Sequence, residues 1–299
     1  MSKTKEVMDQ IAEAIIKSIE EGTVNGKWEK PWVNRTQPMG GMPINATTRK
    51  PYTGGNVFYL WIIGYSEGFA SSEWATYKQW ESIGAQVRKG QTGTRTIRWN
   101  LVPCKDHAKD KRCSACPMVP NVFVLFNADQ VDGYEPKDVQ IVDEEHHNPE
   151  DRHQVADLFF EQVGAEVTFG GQVAAYWPQT DRISMPNFDD FRSADGFYGT
   201  LAHEHIHWTG HSSRLDRGIS GHRDENYAKE ELVAELGAAM LCAVLSVEEE
   251  PRPDHAQYLK SWVAFIKEDS KVLWKAASQA SKAVDYLRAL VPAKEVVAA

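Results

Sequence analysis

The sequence predicts an α+β protein in two domains, and three observations carry that reading. The chain has 299 residues, 42% hydrophobic and 25% charged, the balance of a globular protein long enough for more than one core. Its charge is unevenly shared: residues 1–130 hold 17 Lys and Arg against 12 Asp and Glu, and residues 131–299 hold 16 against 30. Strand-like runs interrupt helical periodicity in the first part, and the second is dominated by helices and a His-Glu-x-x-His sequence. The expected division is an α+β domain over 1–130, an acidic connector over 131–150 and a second domain over 151–299.

Val7, Ile11, Ile15 and Ile19 recur at helical spacing, so residues 5–21 form the first helix, closed by Gly22. A loop rich in Pro and Gly follows, and a turn at Lys50–Asn56 opens an apolar helix through Val57, Leu60, Trp61 and Ile63. Residues 71–82 are expected as one short capped helix. After a basic turn at Val87–Gln91, the runs Thr94–Val102 and Asn121–Asn127 read as antiparallel strands joined by a long insert. Beyond the connector, a helix is expected from Pro149 to Val163, then strands from Val167 to Pro186 turning at Pro178–Asp181. Ile183–Pro186 is assigned to an edge strand bordering the site. Pro251 and Pro253 break the chain before amphipathic helices over 254–289.

No apolar run approaches the ~20 residues needed to span a bilayer. The N-terminus leads into a charged amphipathic helix and not a signal peptide. Four unevenly spaced cysteines fit a reducing cytoplasm. Cys104, His107, Cys113 and Cys116 have ligand types and gaps that suit a small second zinc site or an exposed hairpin tip. Cys242 reads as a small buried side chain.

In the first half, aromatic residues interleave with cations. Trp74, Tyr77 and Trp80 lie near Arg88, Lys89, Arg95 and Arg98 in sequence. Aromatic rings stack on unpaired bases and cations neutralise phosphates, so this mixture suits single-stranded DNA. Core packing is the competing use of the tryptophans.

The helix carrying His203, Glu204 and His207 is where chemistry concentrates. Residues four apart project from one face, so the two imidazoles can converge on one ion. Glu204 lies about 100° round the helix, placed to act as a general base without ligating. His205 falls off that face, and Gly210 stops the helix. A third ligand is needed, and the position that would supply it in a metzincin pattern is Ser213. Downstream, Glu231 and Glu235 share one face of an otherwise apolar helix expected over 227–245, and buried carboxylates need partners.

That stretch resembles the E-x-x-x-D/E helix of gluzincin metallopeptidases. The resemblance implies that Glu231 ligates a zinc ion with His203 and His207, while Glu235 braces a ligand histidine. Tyr227 is a candidate oxyanion stabiliser.

A wider resemblance covers nearly the whole chain. Pro51–Asn56, Trp74–Trp80 and Gly84–Gly90, with Leu201–His211 and Tyr227–Glu235, resemble ArdC-type antirestriction proteins, whose first domain also heads certain plasmid primases. This implies a cytoplasmic protein of conjugative plasmids, with a single-stranded-DNA-binding α+β domain and a zincin-like metallopeptidase domain. Its role would be to protect incoming DNA from host restriction, with a host restriction-system protein as a second partner. Two alternatives stay open: a DNA-shielding protein whose metal domain is structural, and a zinc peptidase with no DNA role.

Overall fold

The computed structural model describes residues 3–22, 41–102, 116, 118–137, 153–219, 225–247 and 256–292. The first half runs α1 (Lys3–Gly22), β1 (Ile44–Asn45), α2 (Gly55–Glu67), β2 (Glu73–Thr76), α3 (Tyr77–Ser82), β3 (Gln86–Val87), β4 (Thr94–Leu101), β5 (Met118–Asn127) and β6 (Val131–Asp132). The second runs α4 (Gln154–Val163), β7 (Glu166–Phe169), β8 (Ala175–Trp177), β9 (Arg182–Met185), α5 (Ala194–Thr209), α6 (Glu225–Leu245), α7 (Ala256–Glu268) and α8 (Lys271–Leu290). Both halves mix helices with small, mainly antiparallel sheets, so the α+β class holds. No helix among the described residues is long and apolar enough to cross a membrane.

The first half is built on a four-stranded sheet of order β1-β2-β5-β4, with β4 and β5 in register from Thr94↔Leu125 to Leu101↔Met118. The single helix expected over 71–82 is instead a strand followed by a helix. Trp74, Ala75 and Thr76 pair with Asn127, Phe126 and Leu125. Thr76 then starts α3 with a reciprocal cap, in which its hydroxyl accepts from the Gln79 amide and Gln79 Oε1 accepts from Thr76 N at 3.0 Å. A cap signal inside the segment, rather than at its start, marks the switch. The expected acidic connector also begins too early. Val131 pairs with Val87, and Tyr134 and Lys137 bind Glu73, so residues to 137 belong to the first half.

Trp74 and Trp80, expected to stack on bases, are both 0% exposed. Trp74 packs with Leu60 and Leu125, and Trp80 with Ala75, Val87 and Val131 while its Nε1 donates to the Phe126 carbonyl at 3.0 Å. Core packing claims these two rings.

One hydrophobic core runs through both halves. Val7, Ile11 and Ile15 of α1 and Val57, Phe58 and Trp61 of α2 join Leu273, Trp274 and Ala277 of α8 and Trp262 of α7 in it. Gly54 N donates to Ser281 Oγ at 2.9 Å across the same boundary. The first half is therefore not closed on its own: its helices use the second half as a wall.

In the second half the sheet order is β7-β9-β8. Residues 183–185 lie in β9, which pairs with both neighbours, so the expected edge strand is the central one and β8 is an edge. Helix α5 is buried along its length, from Ala194 to Thr209. It crosses α6 at Gly237, where a Cβ would sit 2.9 Å from three atoms of the Ile206 side chain. This close approach sets the distance between the helices that carry the site.

Gly237→Ala should force α5 and α6 apart and cost about 1–3 kcal/mol of overpacking strain. Denaturant unfolding measures it. Stability within ~0.5 kcal/mol of the parent, the range of ordinary surface changes, would mean the crossing does not depend on the missing methyl.

Candidate metal centre

Side chains from α5 and α6 meet in the buried space beside that crossing. His203 and His207 lie one turn apart on α5, with their Nε2 atoms 3.1 Å from each other. Glu231 of α6 faces both, with Oε2 3.5 Å from His203 Nε2 and Oε1 3.4 Å from His207 Nε2. Four donors about 2.0–2.1 Å from a tetrahedral ion stand about 3.3 Å from each other, and the three observed separations match that edge. Among the described residues these three form the cluster able to hold a metal, and all three are buried. Two imidazoles and a carboxylate suit zinc and neighbouring divalent ions. The structure brings the three expected ligands together.

The other ring nitrogens face carboxylates. Glu235 Oε2 lies 3.7 Å from His203 Nδ1, on the side expected of a brace. His207 Nδ1 lies 3.3 Å from Oε1 of Glu230, a residue not singled out in the sequence. Glu230 is itself clamped by Arg217, whose Nε lies 3.0 Å from Oε2 and Nη2 2.6 Å from Oε1. Arg217 also donates to Thr209 Oγ1 at 2.7 Å and to the Ile206 carbonyl at 2.6 Å, so one buried guanidinium ties the end of α5 to α6. The available signal was weak: Glu230 adjoins Glu231, but nothing in the spacing links it to Arg217.

Electrostatics follow from these contacts. Burial pushes the Glu231 carboxyl up, but His207 and His203 outweigh it and hold the group well below the usual range. Burial likewise works against charged His207, yet Glu231 and Glu230 raise its imidazole to about 10. Burial would raise Glu230 too, and His207 with Arg217 reverses the sign. His205 behaves as the helical wheel predicts. Burial pushes it down to about 4, opposed by the Leu201 carbonyl 2.7 Å from Nδ1, so the ring is neutral and structural.

Glu204 is buried next to the ligands but outside the triad. Its Oε2 accepts from the backbone N of Tyr176 on edge strand β8 at 2.8 Å. The Tyr176 hydroxyl lies 2.9 Å from Asp181 Oδ1, and Arg214 Nη1 donates to Asp181 Oδ2 at 2.9 Å. Arg214 Nε donates to the Trp208 carbonyl at 2.6 Å, with its guanidinium 3.8 Å over that indole. The loop after α5 is thus fastened to the β8–β9 turn, and β8 is held against Glu204. Gly210 ends α5 as expected, in a right-handed conformation with φ −81°. Its missing Cβ serves close packing, since Ile219 Cδ1 would lie 2.4 Å and Arg217 Nη2 2.7 Å away.

The remaining candidates are placed as follows. Tyr227 lines a cavity between α6 and α8. Tyr77, Lys89, Arg95 and Arg98 are exposed, with the Arg98 guanidinium 5.9 Å over the Phe123 ring. Arg88 is committed to structure, donating to the Val131 and Asp129 carbonyls across from β6. Trp99, 43% exposed on β4, is an aromatic the site assignment passed over. Cys116 is buried; Cys104, His107 and Cys113 lie outside the described residues.

Comparison with known proteins matches two families in succession along the chain. Residues 5–146 match the N-terminal domain of anti-restriction factor ArdC, and residues 154–279 match a zincin-like metallopeptidase family. The chain is 34% identical to the uncharacterized protein y4eC of Sinorhizobium fredii (strain NBRC 101917 / NGR234), over 95% of this chain and 92% of that one. It is 35% identical to the Escherichia coli DNA primase TraC over 97% of this chain, but spans 20% of the primase. Among solved structures, the antirestriction ArdC protein from R388 plasmid aligns in its metal-free form with TM-score 0.75 and 35% identity, covering 95% of this chain and 97% of that one. Its Mn(II)-bound form aligns with TM-score 0.76 and 34% identity, covering 97% and 98%.

Arg217→Met should leave Glu230 buried without its counter-charge and cost about 3–5 kcal/mol. Thermal unfolding reads the loss directly. A variant as stable as the parent would mean that Glu230 and His207 do not depend on the guanidinium.

Proposed function

Because the chain belongs to the ArdC family, with an ArdC-type N-terminal domain followed by a zincin-like domain, we propose that it is a plasmid antirestriction protein. In this reading it binds single-stranded DNA through its first half and holds a divalent ion, zinc by choice of donors, in its second. The observation that carries the metal assignment is the set of three donor separations, 3.1, 3.4 and 3.5 Å, among buried atoms of His203, His207 and Glu231. The Mn(II)-bound relative supports a divalent ion.

When bound, the ion would supply Lewis-acid activation of water and of a polarised carbonyl. Glu204 takes the proton from the attacking water, oriented for it by the Tyr176 amide. Glu235 and Glu230 keep the imidazoles of His203 and His207 turned with Nε2 inward. The substrate of such a hydrolysis would be an amide in a protein of the restriction machinery. The competing reading is a shielding protein whose metal serves the fold.

Three variants test the site and divide these readings. His203→Ala and Glu231→Ala should each purify without a stoichiometric ion by elemental analysis. Glu204→Gln should keep the ion and the fold while abolishing hydrolysis. Antirestriction in cells, measured as survival of transferred unmodified DNA, then decides. Loss with Glu204→Gln supports hydrolysis, whereas unchanged protection rejects it in favour of shielding. A full metal complement in either ligand variant would reject the triad.

For DNA, exposure moves the proposed contacts away from the buried tryptophans, towards Lys89, Arg95, Arg98, Tyr77 and Trp99. Arg98→Ala in the full chain should lower the log–log salt slope of single-strand binding by ~0.7. Trp99→Ala should cost ~1–3 kcal/mol with little change in slope. Unaltered binding in both variants, measured by fluorescence anisotropy across salt concentrations, would remove β4 from the interface.

A further inference from the structure

Arg217 sits in the loop that leaves α5, outside both helices that carry the triad, and its side chain is 4% exposed. Two of its bonds go to α5 itself. Nη2 donates to the Ile206 carbonyl and Nη1 to Thr209 Oγ1, on the residues one before and two after His207. The rest of the fork closes on Glu230, with Nη2 2.6 Å from Oε1 and Nε 3.0 Å from Oε2. The clamp therefore places Glu230 of α6 by reference to the very turn of α5 that bears the ligand. Glu230 Oε1 faces His207 Nδ1 at 3.3 Å, which leaves Nε2 as the nitrogen turned to Glu231, 3.4 Å away. A glutamate side chain alone does not fix the plane of its carboxylate, whereas a planar guanidinium bound to both oxygens does. Room for that guanidinium comes from Gly210, where a Cβ would lie 2.7 Å from Nη2 and 2.9 Å from Cζ. The backbone closes the same turn, Arg217 N donating to the Gly210 carbonyl at 3.0 Å.

We infer that Arg217 is a positioning residue for the metal ion, acting through Glu230 on the tautomer and ring orientation of His207, so that the loop after α5 sets how tightly the ion is held. This role rests on the metal reading of His203, His207 and Glu231, and it falls to a residue that bonds to none of the three. Outer partners of ligating histidines typically contribute about 10–100-fold to metal affinity. Glu230 is such a partner, but it is buried and holds its place and its charge only with a cation on it. Its contribution to the ion is thereby passed to Arg217.

Titration of the full-length protein with zinc against a chromophoric chelator reads the affinity. Arg217→Lys keeps a positive charge but not the fork, and should weaken the ion about tenfold. Arg217→Met combined with Glu230→Leu removes the pair without stranding either charge, so the fold is kept. This double variant should bind zinc about 10–100-fold more weakly while its thermal unfolding stays near that of the parent. Loss of affinity without loss of stability is what a purely structural pair does not produce. Leu60→Ala, a core deletion in α2, is the control: it should lower thermal stability and hold the ion as tightly as the parent. Weakening of the ion in Leu60→Ala on the same scale would make the effect one of general loosening and overturn the assignment. Parent-like affinity in Arg217→Lys and the double variant would also overturn it, leaving the triad in place without this support. A parent that takes up no zinc would remove the metal reading on which the role stands.

Discussion

Where α5 crosses α6, the carboxylates of Glu230, Glu231, Glu235 and Glu204 are buried together with the imidazoles of His203 and His207. Isolated carboxylates in such a place would cost several kcal/mol each, so every one of these groups has to face a donor or a cation. Much of the surrounding structure is arranged to provide them. Arg217 reaches back from the loop after α5 to neutralise Glu230, and the edge of β8 presents a backbone N–H to Glu204. The crossing is close because position 237 has no side chain. A divalent ion at the triad would supply the positive charge that Glu231 and its neighbours invite.

The arrangement also explains why the second half is so largely helical around one buried helix. α5 cannot present two imidazoles inward unless its remaining faces are covered, and they are, by α6, α8, the small sheet and Phe160 of α4 against His205. The sheet's contribution is local. Its edge strand orients the general-base candidate, and Asp181 in its turn anchors Arg214. The first half leans on the same scaffold: α1 and α2 complete their burial against α7 and α8. The two family domains are therefore distinct in sequence but share a core.

The His-Glu-x-x-His helix and the Glu231–Glu235 pair were legible because helical periodicity is local: spacing of four residues places side chains on one face whatever surrounds them. The charge division and the strand runs Thr94–Val102 and Asn121–Asn127 were legible for a similar reason. The identity of residues within a short window decides β propensity and net charge. The resemblance joined His203 and His207 to Glu231, 24 residues beyond His207, before any contact between the two helices was visible.

What the tertiary structure alone decided are matters of burial and of partners distant in sequence. Trp74 and Trp80 have the composition of stacking residues, but the sheet and α2 cover Trp74, and Val87 and Val131 cover Trp80, which no local pattern encodes. Residues 183–185 read equally well as an edge or a central strand, since alternation does not say how many neighbours a strand has. Arg217 and Glu230 are thirteen residues apart with no periodic relation, and only the return of the chain across α6 makes them partners. Sequence by itself determined which residues could ligate a metal, because ligand chemistry and helical spacing are properties of a short segment. The fold decided which charges stand behind those ligands and which aromatics remain for a partner, because burial is set by packing between segments far apart in the chain.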